Sequence, residues 1–99
     1  MDARQIAQEL RDKLRKYDDF IGLYLYGSQV SGKATEESDI DIVGVFNKDR
    51  SHENYFHGEA LDVELEYDVI IDFHPMTFDE LNLNWLYFNE IKKGVYYAR

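Results

Sequence analysis

Residues 20–46 read FIGLYLYGSQVSGKATEESDIDIVGVF, and they contain the clearest indications of how the chain folds. Two apolar runs, 20–26 and 40–46, predict buried strands. The segment between them is rich in Gly, Ser and Thr, which is the composition of a loop. Two different phosphate-handling motifs overlap in that loop, and each predicts a different protein.

The first motif is most of a P-loop, formed by Gly27, four residues, Gly32 and Lys33. A P-loop needs a Ser or Thr directly after its Lys to hold magnesium, but Ala34 stands there and Thr35 comes one position late. It also needs a helix whose N-terminus cradles the phosphates. Only ATEES follows Lys33 before the second strand region, which leaves about one helical turn. We therefore reject the P-loop interpretation.

The second motif is Gly27-Ser28, ten residues, then Asp39-Ile40-Asp41. Carboxylates at i and i+2 on a strand project from the same face, and a cation between them offsets their repulsion. Magnesium accepts such carboxylates together with phosphate oxygens. Gly27 would let a phosphate approach the backbone, and Ser28 offers a hydroxyl donor. The motif therefore predicts a site for a metal-bound triphosphate.

A third carboxylate is available in the segment EYDVIIDF, residues 66–73. We predict that Asp68 and Asp72 share a strand face, and that one of them binds a second metal and helps to deprotonate the attacking hydroxyl. Asp68 is our first choice and Asp72 the runner-up. The alternating acids at 62, 64, 66, 68 and 72 could instead form one exposed face.

The flanking sequence predicts helices around these strands. Apolar residues at helical spacing indicate a helix over residues 3–17, with Asp2 as its N-cap. Residues 52–66 are ambiguous, and we predict a helix to about residue 66, followed by a strand over 67–74 that Pro75 ends. Thr77 should cap a last helix that stops at Gly94. Its predicted apolar face carries Leu81, Trp85, Phe88 and Ile91.

Composition narrows the class of protein. Ninety-nine residues fit one small domain, residues 1–99. A net charge of −9 argues against binding a DNA or RNA duplex and suits a carboxylate metal site or a basic protein partner. There is no Cys, and the three His residues have no ligand spacing. With no signal-peptide pattern and no apolar run of about 18 residues, we expect a cytoplasmic protein with no membrane association.

The GS-x10-DID motif resembles the signature of the DNA polymerase β nucleotidyltransferase superfamily. The chain length and Ser38-Asp39-Ile40-Asp41 are similar to its minimal nucleotidyltransferase (MNT) branch, as is the ending NEIKKGVYY. The order of the predicted elements matches as well, so the resemblance covers nearly the whole chain. It implies an α/β (α+β) fold in which a small mixed sheet of three to four strands is flanked by helices.

The resemblance also implies an activity: Mg²⁺-dependent transfer, with two metal ions, of a nucleoside monophosphate, first of all AMP from ATP, onto a protein or another hydroxyl acceptor. Nucleotide contacts are expected from Gly27, Ser28, Lys33 and Ser38. Metal binding and catalysis are expected from Asp39, Asp41 and Asp68.

Many small family members are antitoxins that pair with a HEPN-domain RNase, so such a partner is expected here. Family loops often carry two Arg where this chain has Gln29 and Ser31. This departure leaves an alternative open, in which an inactive MNT-fold module neutralises its partner by contact. The sequence also leaves a homo-oligomer open.

Overall fold

The computed structural model describes residues 2–27, 39–49 and 56–99. Helices and strands in these ranges follow the order α1, β1, β2, α2, β3, α3, α4, β4. Their bounds are Ala3–Leu14, Phe20–Tyr26, Ile40–Phe46, Phe56–Tyr67, Ile71–Met76, Phe78–Leu83, Trp85–Lys92 and Val95–Ala98. None of the helices in these ranges has the length and apolar character of a membrane span.

The four strands form one mixed sheet in the order β3-β2-β1-β4. β1 is antiparallel to both β2 and β4, whereas β2 and β3 are parallel. The predicted α+β class, with a small mixed sheet and flanking helices, is confirmed. β1 and β2, which flank residues 27–38, are antiparallel. A βαβ crossover would instead join two parallel strands, so this pairing agrees with the rejection of the P-loop.

One face of the sheet packs against α1 and α2. Asp2 caps α1 as predicted, and its side chain accepts a hydrogen bond from the Arg4 amide at 3.0 Å. The apolar stripe of α1 is buried because it faces the strands. This first core contains Ile6, Leu10, Leu14, Phe20, Leu23, Leu25, Ile40, Ile42, Phe46, Val63, Ile71 and Phe73, among others.

The opposite face of the sheet packs against α3 and α4. Its buried residues are Val43, Val45, Leu81, Phe88 and Ile91, with the partly buried tyrosines of β1 against them. The predicted cap at Thr77 is confirmed as a capping box, in which Thr77 and Glu80 each bond the other's backbone N–H.

The structure corrects the predicted third strand. α2 continues to Tyr67, and β3 spans Ile71–Met76 instead of 67–74. Between them Asp68 has a φ of 55°, a left-handed conformation that ends a helix. Pro75 does not end β3, because an edge strand tolerates a missing N–H. Asp68 therefore lies in a turn, and the expectation that it shares a strand face with Asp72 is wrong.

The ends of the chain hold two more corrections. α1 stops at Leu14 rather than 17, and the predicted last helix is broken at Asn84 into α3 and α4. The break changes the helical phase, so Trp85 is 63% exposed instead of belonging to the core. β4 was not predicted. β4 can pair with β1 because the residue before it is Gly94. A Cβ at position 94 would collide with the carbonyl oxygen of Leu25.

Candidate active site

A row of three polar side chains crosses the second face of the sheet. Asp41 on β2 lies opposite Asp72 on the parallel strand β3, and opposite Tyr26 on the antiparallel strand β1. Strand alternation puts Asp41 on the same face as Val43 and Val45, while Ile40 and Ile42 enter the first core. The register of β3 against β2 therefore brings together two carboxylates that are 31 residues apart in the chain.

The electrostatics of this row centre on Asp41. Its pKa is raised above the ordinary value of 3.8, first by burial and then by the charges of Asp72 and Asp39, while His74 opposes the shift. Two carboxylates thus act on Asp41, and one of them is Asp39, as the motif predicted. Such a group favours a bound proton or a bound cation.

The end of β1 approaches the row through Gly27. This residue has a φ of 81°, a left-handed conformation that favours glycine. A Cβ at this position would overlap Oδ2 of Asp41. Gly27 therefore brings bare backbone against the Asp41 carboxylate. The predicted approach of a phosphate to this backbone remains a prediction.

His74 completes the polar edge of β3. Its Nε2 lies 3.1 Å from Oδ1 of Asp72, and each of the two side chains is about half exposed. His74 and Asp72 are two residues apart on one strand, so both project from the second face. No role was predicted for His74, although the strand predicted over 67–74 already places it two residues from Asp72 on the same face.

Tyr26 links this row to α4. Its hydroxyl lies 2.9 Å from the hydroxyl of Tyr87. Burial, the hydrogen bond to Tyr87 and the nearby carboxylates raise the pKa of Tyr26 above 10, so the phenol stays protonated at neutral pH. Sequence reasoning missed Tyr26, and the available signal was its position directly before Gly27. The pair fixes the helix over the second face next to the carboxylates.

The predicted site residues are distributed as follows. Gly27, Asp39 and Asp41 lie at this end of the sheet, and so does the runner-up Asp72. Asp68 lies in the turn before β3 and has no place in the cross-strand row. Ser28, Lys33 and Ser38 lie outside the described residues, as do Gln29 and Ser31. Their predicted nucleotide contacts remain predictions.

The donor chemistry of the row fits magnesium. Within residues 2–27, 39–49 and 56–99, no three ligand-type side chains are already close enough to enclose an ion. Magnesium does not require such a cage, because it is usually held by one or two carboxylates with waters and substrate phosphates. Asp41 and Asp72 lie opposite each other, and Asp39 is two residues before Asp41 and close enough to affect its pKa. These carboxylates supply hard oxygen ligands of this kind.

Comparison with known proteins identifies the family. The family model described as "Polymerase beta, Nucleotidyltransferase" matches residues 8–94. The chain belongs to this nucleotidyltransferase family. Its fold is similar to the crystal structure of a candidate nucleotidyltransferase from Sulfolobus solfataricus, with a TM-score of 0.59, 21% identity, and coverage of 96% of this chain and 79% of that one. No curated protein matches the sequence significantly.

Proposed function

We propose that this nucleotidyltransferase-family domain transfers a nucleoside monophosphate, first of all AMP from ATP, onto a hydroxyl acceptor with the help of magnesium. The observation that carries the proposal is the opposed pair of Asp41 and Asp72 beside Gly27. The raised pKa of Asp41 supports it, because an uncompensated carboxylate pair is costly without a cation. The resemblance to the MNT branch supports the choice of ATP.

The residues of the row have separate roles in this proposal. Asp39, Asp41 and Asp72 would hold the metal, which when bound offsets the charge that develops on the phosphates. Gly27 leaves room for the triphosphate at the end of β1, and Ser28 would donate to a phosphate oxygen. Tyr26 remains neutral and adds no further negative charge to the site.

The chemical step is a displacement at the α-phosphorus. The acceptor oxygen forms a bond to that phosphorus, the bond to the bridging oxygen breaks, and pyrophosphate leaves. The hydroxyl proton passes to a carboxylate, for which Asp72 is the proposed base. Of the two candidates, Asp72 is preferred to Asp68 because it lies opposite Asp41.

The proposed partner is a basic HEPN-type protein, and two observations support a contact partner. The chain has a net charge of −9. The junction of α3 and α4 exposes Leu83, Trp85 and Leu86, at 85%, 63% and 68%. The same surface favours a second candidate function, in which the domain neutralises its partner by contact and catalysis is weak or absent.

Label transfer from α-labelled ATP, with the partner protein present, tests the proposal. We expect magnesium-dependent labelling of the partner that Asp41→Asn reduces by at least about 1,000-fold, which corresponds to about 4 kcal/mol of transition-state stabilisation. Asp62→Asn is the matched control, because Asp62 is an exposed aspartate on α2, at the other face of the sheet. Labelling that survives in Asp41→Asn would exclude this site. Neutralisation by Asp41→Asn without labelling in the native chain would favour the contact function.

A further inference from the structure

His74 and Asp72 form a defined contact at the edge of the candidate site. Nε2 of His74 lies 3.1 Å from Oδ1 of Asp72, within hydrogen-bonding distance. The contact involves one carboxylate oxygen of Asp72 and leaves Oδ2 for another ligand. It lies on the face that carries Asp41, since Asp41 pairs with Asp72 and Val43 pairs with His74.

The backbone restrains His74 in this position. Pro75 follows it directly, and a residue before proline is confined to extended conformations. β3 is an edge strand that pairs with β2 over its whole length, so the register of His74 is fixed as well. The backbone therefore fixes the position from which the His74 side chain projects, on the same face as Asp72 and two residues from it.

Asp72 needs such a restraint more than a buried residue would. Its side chain is 51% exposed, so packing does not select one rotamer. It also lies opposite Asp41, whose negative charge repels it in the absence of a cation. A hydrogen bond from outside the ligand set is the usual means by which proteins orient a metal-binding carboxylate.

We infer that His74 is a positioning residue, which holds Oδ1 of Asp72 through Nε2 so that the carboxylate is oriented for a divalent cation shared with Asp41. The inference rests on the proposed function, because it takes Asp72 as a metal ligand. An ordinary surface ion pair between the same residues would leave cation affinity unchanged, so binding measurements separate the two roles.

The test is to titrate the 99-residue chain with Mn²⁺ and to measure binding by the electron paramagnetic resonance signal of the ion that remains free. We expect His74→Ala to raise the dissociation constant by about 10-fold, the lower end of the range for such outer residues, because this pair is half exposed. His74→Gln should restore affinity to within about twofold, since its amide nitrogen reaches roughly the position of Nε2. Urea unfolding without metal should give the same midpoint for the native chain and both variants.

A double-mutant cycle with Asp72→Asn completes the test. We expect Asp72→Asn to weaken Mn²⁺ binding, and His74→Ala to have no further effect in that background. Two results overturn the inference alone, provided that Asp72→Asn still weakens Mn²⁺ binding. The first is native Mn²⁺ affinity in His74→Ala. The second is that His74→Ala weakens Mn²⁺ binding in the Asp72→Asn background as much as it does in the native chain. Failure of the native chain to bind Mn²⁺, or native affinity in both Asp41→Asn and Asp72→Asn, instead overturns the proposed metal site and this inference with it.

Discussion

On the first face of the sheet, β2 and β3 present only apolar side chains and glycine to α1 and α2. On the second face, β2 begins with Asp41 and is apolar from Val43 onward, whereas β3 carries Asp72 and His74 before Met76. The difference is concentrated towards the N-terminal ends of β2 and β3, next to the end of β1. The first face is therefore a continuous apolar core, whereas one end of the second face carries the polar residues of the proposed site.

The buried carboxylate of Glu59 and the partly buried carboxylate of Asp41 show the same difference between a stabilising region and a polar one. Glu59, on α2, is 8% exposed and is paired with the Tyr17 hydroxyl at 3.0 Å and with the Lys16 ammonium. Asp41 is surrounded instead by the like charges of Asp72 and Asp39. Glu59 is satisfied within the protein and needs no ligand, whereas the arrangement around Asp41 becomes favourable when a cation binds.

The largest expected effect on stability separates two neighbours on β2. Ile42 is fully buried in the first core, so Ile42→Ala should lower the free energy of unfolding by about 3 kcal/mol. Asp41→Asn, one residue away, should cause no such loss, because it removes repulsion. Urea unfolding of the two variants measures the difference. Equal losses would mean that the two faces are not divided in this way.

Gly27→Ala tests the approach of β1 to the carboxylates. The left-handed φ of 81° costs about 1–2 kcal/mol for an alanine, and the added Cβ would displace the Asp41 carboxylate. We expect a loss of that size in urea unfolding together with at least about 10-fold weaker Mn²⁺ binding. Gly58→Ala is the control, because a Cβ there meets nothing within 4 Å. Unchanged Mn²⁺ affinity in Gly27→Ala would separate Gly27 from the site.

The pH dependence of stability gives a smaller effect. Because the folded chain raises the pKa of Asp41, folding favours its protonated form, and the contribution of this group is fully present below its unfolded pKa near 3.8 and is lost as pH rises through the folded pKa. Asp41→Asn should therefore be more stable than the native chain at about pH 7. The gain should be under about 1 kcal/mol, because solvent partly screens this carboxylate. Urea unfolding in metal-free buffer should show the gain shrinking towards about pH 4, and a gain independent of pH would contradict the assignment.

The smallest effect concerns the exposed junction of α3 and α4. Trp85 is 63% exposed, so Trp85→Ala should change the free energy of unfolding by less than about 0.5 kcal/mol. Phe88→Ala, three residues along the same helix, should cost about 3 kcal/mol because Phe88 is buried. A large loss from Trp85→Ala in urea unfolding would place this residue in the core of the second face, as its spacing first suggested.

Local sequence predicted β1 and β2 to the residue, since both are apolar runs bounded by loop composition. It also predicted the caps at Asp2 and Thr77, because capping depends on residues three positions apart. These features depend on interactions between residues that are close in the chain, so a short segment of sequence is enough to predict them.

The choice between Asp68 and Asp72 depended on information that local sequence lacks. The alternation along 61–73 also fits a long strand. The segment up to Tyr67 is nevertheless helical, because a helix buries the side chains of Ala60 and Val63. The register that sets Asp72 opposite Asp41 arises from pairing between distant strands. β4 was missed for the same reason, since it depends on the space that Gly94 leaves at β1.

Which aspartate completes the site is decided by comparing Asp72→Asn with Asp68→Asn in the magnesium-dependent label-transfer assay. The pair is well matched, because both changes remove one charge and Asn tolerates the left-handed conformation at position 68. We predict that Asp72→Asn lowers transfer by at least about 100-fold, or about 2.7 kcal/mol, and that Asp68→Asn stays within about twofold of the native rate. Native transfer in Asp72→Asn with loss in Asp68→Asn would mean that Asp68, and not Asp72, is the third carboxylate of the site.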